Sequence, residues 1–565
     1  MVNLRYDHYC WIILSLILSL LLASVEGNQH PQTGHAVVES KKKCASLAET
    51  FKLPNTKILL AEYVENGTTI NLQNLDPTCG SPNITVNSNI CRVSWNTTTG
   101  YKSGFRFEAF LPIDWSGRFV TLGNGGTGGC ILYGDLDSTA KQGFAAVDTN
   151  NGHDGDHALP FFHNKGVQQD YAYRAVRMSA RQGKHLVRAF YGKSARKSYY
   201  VGCSTGGRQG FKEAQDAQIH FDGILAGSPA IDFNHLNSWG ASFLPITGSN
   251  TSAGFITFDQ WTGIIHDDVL RKCDGLDGYK DGIIEDTLKC HYTADDLLCP
   301  SGSANRTDCL TEDQVKIVNR VYSPMRSIKG EYLYPRIQPG AEGFEAVIVY
   351  LTGTIFGYSD WQKYVVFKDP NWNASAFDPA NYTKAQELNP FGIQTFNGDL
   401  SAFRKNGGKI LHYHGNEDGI ISAEISPRYY DLVSKTMKLA PHSIDQFYRF
   451  FRVSGMGHCG NGQGAHFIGN SQANLGPTNE PEDSVLWALV RWVEKGIAPD
   501  YITGTAYVNG SRDTGIVDYQ RKHCRYPFSN VYQGKGDPKD PNSWKCIYPQ
   551  GYGYGHGHPT KSLLS

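Results

Sequence analysis

A serine set between glycines, at the junction of an apolar β run and a helix, restricts this chain more than any other short segment. Residues 198–202 read as a strand, Gly202-Cys203-Ser204-Thr205-Gly206 as a sharp turn, and residues 208–217 as a helix. The glycines permit a tight strand-to-helix turn that lifts the Ser204 hydroxyl clear of the backbone. The N–H that follows then points at a developing oxyanion. The five-residue pattern also arises by chance, as a structural serine in a glycine turn. Its place between strand and helix is what gives it weight.

The surrounding sequence repeats the strand–helix theme. Residues 117–123 read as a strand entering a glycine-rich turn at 124–129. Residues 145–148 form another strand before the polar loop 149–156, a helical pattern spans 168–191, and 223–226 is again strand-like. Such alternation predicts a parallel sheet covered on both faces. From 233 to 397 the pattern breaks into Cys-, Asp- and Gly-rich turns with scattered aromatics. It resumes after Leu400 with a short helix, a strand at 409–414, a helix near 428–437, a strand at 446–453 and an amphipathic helix at 485–495. At 565 residues the chain is too long for one compact core. The expected architecture is therefore an α/β sheet built discontinuously from 28–232 and 398–565, with 233–397 inserted as a lid.

A serine nucleophile needs a base and an orienting acid, and α/β-hydrolases supply them in the order Ser, Asp or Glu, His. The loop after the strand at 409–414 reads Gly415-Asn416-Glu417-Asp418-Gly419, with Asp418 the preferred acid and Glu417 its alternative. The loop after the last strand reads Gly455-Met456-Gly457-His458-Cys459-Gly460, which nominates His458 as base. His412, His414 and His466 compete, but the first two fall inside a strand, where a packed histidine is the default. Cys203 precedes Ser204 and Cys459 follows His458. Catalysis brings those backbones close, so a Cys203–Cys459 disulfide would pin nucleophile to base. A non-catalytic binding module on a hydrolase fold is the competing class; such proteins usually lack a triad member, and here all three are in order.

The N-terminus predicts export. Arg5 precedes an apolar run at 11–23, and small residues at 24–27 suit cleavage, so 1–27 reads as a signal peptide rather than a membrane anchor. Loss of Cys10 leaves twelve cysteines, an even number that suits disulfides in an extracellular, secreted protein. Glycosylation sequons begin at Asn66, Asn83, Asn96, Asn250, Asn305, Asn373, Asn381 and Asn509. A formal net charge of −1 gives no long-range field for nucleic acid or an anionic membrane, and fits a neutral or small polar substrate. His556 and His558 sit in a Gly- and Tyr-rich tail that reads as solvated.

With Gly-Cys-Ser-Thr-Gly-Gly, Gly-Met-Gly-His-Cys-Gly and the acidic loop at Asp418 in place, the mature chain resembles the tannase and feruloyl esterase family, most closely its fungal feruloyl esterases. The resemblance implies an α/β-hydrolase with an inserted lid, and Cys44–Cys91, Cys79–Cys130, Cys273–Cys290, Cys299–Cys309 and Cys524–Cys546 disulfides beside Cys203–Cys459. It implies an oxyanion hole from the amides of Thr205 and Gly126, and no organic cofactor. Three carboxylates in the loop Asp274-Gly-Leu-Asp277-Gly-Tyr279-Lys-Asp281-Gly-Ile283 would repel unless neutralised, and hard oxygens suit Ca²⁺. A solvated acidic turn is the plain reading. The resemblance favours structural calcium, with Asp274, Asp277 and Asp281 joined by the carbonyls of Tyr279 and Ile283. The implied activity is hydrolysis of feruloyl, caffeoyl or coumaroyl esters of plant cell-wall polysaccharides, on a small phenolic ester or a feruloylated oligosaccharide. A tannase acting on galloyl esters is the alternative. Phe233, Trp239, Phe243, Tyr350, Phe356, Tyr358 and Trp361 are the aromatics available to wall a pocket or fill the lid core.

Overall fold

The computed structural model describes residues 32–548 except 73–74, 302–307, 344, 354–357 and 379–380. The expected signal peptide, Asn305, Phe356, His556 and His558 lie outside the described residues.

A nine-stranded sheet organises the chain. Strands β1 (Thr56–Val64), β2 (Ile90–Gly100) and β3 (Ser103–Pro112) are antiparallel. β4 (Arg118–Leu122), β5 (Phe144–Thr149), β6 (Lys197–Cys203), β7 (Gly223–Gly227), β8 (Lys409–Gly415) and β9 (Tyr448–Val453) pair parallel to one another. The spatial order is β1-β2-β3-β5-β4-β6-β7-β8-β9, with β3 antiparallel to β5. The expected all-parallel sheet thus holds from β4 to β9 and is corrected at its N-terminal edge. Only Tyr101 and Lys102 link β2 to β3, far too short a connection for a parallel crossover.

Helices cover both faces. On one, α1 (Gln32–Thr50) and α3 (Ala175–Tyr191) bury Cys44, Leu47, Leu186 and Phe190 against Phe107, Phe119 and Val147. On the other, α2 (Tyr133–Lys141) and α5 (Val485–Lys495) bury Leu136, Leu489 and Trp492 against Tyr199, Leu225 and Leu411. Each fully buried side chain of this size contributes about 1.5–3 kcal/mol. The helical pattern read at 168–191 starts earlier, at Lys165, and passes through a π-helical turn at Asp170–Arg174 before α3.

The segment between β7 and β8 does not have a separate core. Trp239, Phe243 and Tyr350 pack ring on ring at 4.8–5.2 Å. Trp361 lies 4.9 Å from Phe233 and 5.8 Å from Phe161, and Phe233 lies 6.1 Å from Tyr171. All five aromatics are buried, and they belong to one hydrophobic cluster with Phe211, Ile224 and Tyr429 beneath the sheet. They fill core rather than wall an open pocket.

Six disulfides join Cys44–Cys91, Cys79–Cys130, Cys203–Cys459, Cys273–Cys290, Cys299–Cys309 and Cys524–Cys546, the pairs the resemblance implied. Asn66, Asn83, Asn96, Asn250, Asn373 and Asn509 are exposed and Asn381 is half-buried, so glycans could reach each of them. Among the described residues no helix is long and apolar enough to cross a membrane.

Candidate active site

Strands β4, β6, β8 and β9, with β7 between β6 and β8, deliver the candidate residues at their C-terminal ends, where α/β sheets bind ligands. β6 ends at Cys203, and α4 (Thr205–Asp216) begins one residue after Ser204. Ser204 takes φ 62° and ψ −122°, a left-handed-side conformation that costs a non-glycine residue about 1–3 kcal/mol. Surrounding bonds hold it there: its N–H donates to Gly227 O at 3.0 Å, and its carbonyl accepts from Ala230 and Arg208, each at 3.1 Å. A Cβ on Gly202 would lie 2.8 Å from the Gly206 carbonyl carbon, so the elbow closes only with glycine at that position. Sequence patterning placed the helix start at 208. Two glycines in its first turn lower local propensity, and packing overrides them.

The acid and base loops follow β8 and β9. His458 Nδ1 lies 2.8 Å from Asp418 Oδ2, and Asp418 is buried. Since an ionised carboxylate only accepts, Nδ1 carries the proton and Nε2 keeps its lone pair. The Asp418 Oδ1 atom accepts the N–H groups of Ile420 at 2.9 Å and Ile421 at 2.8 Å. Burial would raise the Asp418 pKa, but His458 and His414 outweigh it and hold the carboxyl well below the usual range. Burial also opposes the charge on His458, and Asp418 and Glu345 overcome it to raise that imidazole. Glu417 points elsewhere: burial, then Glu342 and Glu345, push it up to about 8 against the pull of His266. His466 bonds to Gly464 O instead.

His412 and His414 are packed inside β8, yet they are not inert filler. His414 Nε2 reaches Asp418 Oδ2 at 3.0 Å and Ile421 O at 3.2 Å, both pure acceptors, so that nitrogen donates. In the neutral ring Nδ1 then accepts from Ser426 Oγ at 2.6 Å. Ser426 Oγ accepts from His412 Nε2 at 2.9 Å, and His412 Nδ1 accepts from Tyr448 OH at 2.8 Å. Every donor points toward Asp418, a buried chain that reinforces the carboxylate. Spacing alone could not reveal it, because Ser426 and Tyr448 lie on other elements.

Cys203–Cys459, with Cα atoms 5.9 Å apart, ties the residue before Ser204 to the residue after His458. The glycine loop after β4 sits beside the elbow. Gly126 has φ 56°, and its carbonyl accepts from Thr205 Oγ1 at 2.7 Å and Tyr171 OH at 3.1 Å. A Cβ there would lie 2.5 Å from Asp156 Oδ1, so this position requires glycine. Asn124 anchors the loop, donating from Nδ2 to Thr149 O at 2.6 Å and Cys130 O at 3.0 Å. At the start of α4 the Thr205 N–H has no intrahelical acceptor, which leaves it available to an anion.

In the acidic loop, Asp274 Oδ1 accepts the N–H groups of Asp281 and Gly282, each at 3.2 Å. Asp281 Oδ2 pairs with Arg521 at 2.8 Å. Asp277 Oδ1 accepts from Tyr279 at 2.9 Å, while its buried Oδ2 has no hydrogen-bond partner. Burial, with Glu285 and Asp281 nearby, pushes Asp277 up to about 7. Among the described residues no group of three or more His, Cys, Asp or Glu side chains converges to hold a metal ion. What fits a cation here is the orphaned Asp277 Oδ2, beside the carboxylates of Asp274 and Asp281, which already engage backbone N–H groups and Arg521.

A serine on a strained elbow at the C-terminal edge of a mostly parallel, helix-covered sheet defines an α/β-hydrolase. The family model described as Tannase and feruloyl esterase matches residues 88–547. A probable feruloyl esterase B-2 of Neosartorya fischeri is 46% identical over 506 residues, covering 89% of this chain and 95% of that protein. Feruloyl esterase C of Talaromyces stipitatus is 46% identical over 521 residues, covering 91% and 97%. The crystal structure of feruloyl esterase B from Aspergillus oryzae superposes with a TM-score of 0.86 at 44% identity, covering 90% of this chain and 100% of that one. A tannin acyl hydrolase from Aspergillus niger shares the fold, with a TM-score of 0.68 at 20% identity over 91% and 95%. The chain belongs to the tannase and feruloyl esterase family.

Proposed function

We propose that this protein is a secreted feruloyl esterase that cleaves hydroxycinnamate esters through an acyl-enzyme. Ser204 Oγ attacks the ester carbonyl while His458 Nε2 takes its proton, and Asp418 holds the tautomer and stabilises the imidazolium. The amides of Gly126 and Thr205 receive the oxyanion. His458 then protonates the departing alcohol, and water attacks the acyl-serine to release the acid. The observation that carries this reading is the Cys203–Cys459 bond between the residues flanking Ser204 and His458, with His458 already bonded to Asp418. The segment 233–397 is read as the lid over this site.

Hydroxycinnamates are favoured over galloyl esters because the chain is 46% identical to feruloyl esterases along nearly their whole length, against 20% for the tannin acyl hydrolase. Burying an unpartnered ring hydroxyl costs about 1–3 kcal/mol, and a galloyl ring carries three. Methyl ferulate or methyl caffeate is expected to exceed methyl gallate in kcat/KM by at least about tenfold, or about 1.4 kcal/mol. A preference for methyl gallate would replace this substrate class with that of a tannase.

Calcium is proposed at Asp274, Asp277 and Asp281 with the carbonyls of Tyr279 and Ile283. The orphaned Asp277 Oδ2 supports it, and the ion would neutralise the loop rather than take part in the reaction. Native mass spectrometry of deglycosylated protein recovered from the medium tests export and metal together. The expected mass is that of a chain starting near residue 28 with about one calcium. A metal-free mass removes the calcium, and a retained 1–27 segment removes the signal peptide.

A further inference from the structure

The segment inserted between β7 and β8 touches both catalytic loops with one side chain. Glu345 Oε2 accepts the backbone N–H of His458 at 2.7 Å and that of Gly419 at 3.3 Å. It therefore bridges the loop bearing the acid and the loop bearing the base. Its seat is cut to size in both. A Cβ on Gly457 would come within 2.7 Å of Glu345 Oε1, and one on Gly419 within 2.7 Å of the Glu345 Cβ and 2.4 Å of Ala346 N. A side chain at either glycine would collide with Glu345 or its neighbour, and real Cβ atoms do not make such contacts.

Resting on the Ser204–His458–Asp418 reading, we propose that Glu345 is a positioning residue for the base. It clamps the acid and base loops together and sets a second negative charge beside His458. The groups around it are Asp418 and Glu417 on the acid loop and His458 on the base loop, with Glu342 and His266 behind Glu417. Burial first, then the neighbouring Asp418, pushes Glu345 up to about 7 against the pull of His458, whose imidazole it helps to raise in turn. The sign of its influence follows from charge. An anionic Glu345 favours imidazolium, and only neutral imidazole can act as base, so the clamp raises the pH at which activity appears.

Two variants separate charge from hydrogen bonding. Glu345→Gln keeps an acceptor oxygen for both amides and loses the charge. The acid limb of its kcat/KM profile for methyl ferulate is expected to move about 0.5–1 unit to lower pH, with KM and Tm near wild type. Glu345→Ala loses charge and acceptor, and its kcat at the optimum is expected to fall about 10- to 100-fold with little change in KM, because the imidazole is no longer held in register. A Glu345→Gln acid limb that superimposes on wild type overturns the proposal, whether or not Glu345→Ala folds. Ser204→Ala, assayed alongside, keeps the two readings apart. Wild-type turnover in that variant sinks the triad, whereas an inactive Ser204→Ala beside an unshifted Glu345→Gln sinks the clamp alone.

Discussion

Ser204→Ala is expected to lower kcat for methyl ferulate by about four to six orders of magnitude while leaving Tm within a few degrees of wild type. That loss corresponds to about 5–8 kcal/mol of transition-state stabilisation. Removing the hydroxyl deletes the bond-forming atom, and the elbow survives because backbone bonds from Gly227, Ala230 and Arg208 hold it. Residual hydrolysis above the uncatalysed rate would come from the oxyanion amides and substrate binding. The same variant should also lose covalent labelling by a fluorophosphonate, with peptide mapping of wild type placing the adduct on Ser204. Wild-type turnover, or an adduct that persists in the variant, would assign the nucleophile elsewhere.

The double variant Cys203→Ala/Cys459→Ala is expected to fold and to lose both stability and rate. These cysteines are 256 residues apart in sequence, and closing so long a loop restricts the unfolded chain. The chain-entropy relation gives about 5 kcal/mol. An unfolding entropy of about 1 kcal/mol/K for a chain this size turns that into a Tm decrease of about 4–5 °C. Activity should suffer more in proportion. The bond sets the spacing of nucleophile and base, and a misplacement of about 1 Å can cost about 100-fold in rate. Paired calorimetry and kinetics check both parts, and a variant matching wild type in each would make the bond incidental.

Much of this site was readable from local pattern. The elbow at Ser204, the acidic loop at Asp418 and the glycine-flanked His458 each sit directly after an apolar strand, so period and punctuation locate them. The helix expected at 485–495 has those bounds in the structure, since its apolar stripe recurs without interruption. The N-terminal edge was harder, although Phe105, Phe107, Ala109 and Leu111 alternate along β3 and all lie in one cluster. That period-two signal gives a strand but not its partner. Glu345 left no local trace at all, for it stands 113 residues from His458 and meets it only through the fold. Its shadow is in the glycines that receive it, Gly419 after the acid and Gly457 before the base. The chain from Tyr448 to Asp418 was hidden for the same reason: burial of His412 and His414 was foreseeable, while the atoms they touch come from the next strand, the helix holding Ser426 and the acid loop.

The continuity of the aromatic core limits how substrate can enter. Swinging the inserted segment away on a hinge would part Trp361 and Phe233 from Phe161 and Tyr171. Those four rings would meet water at roughly 150–250 Å² each, or about 15–25 kcal/mol together. That exceeds the net stability of a typical domain, about 5–15 kcal/mol. The inserted segment is thus held in place by its own core, and any motion that admits a phenolic ester has to leave these four rings packed.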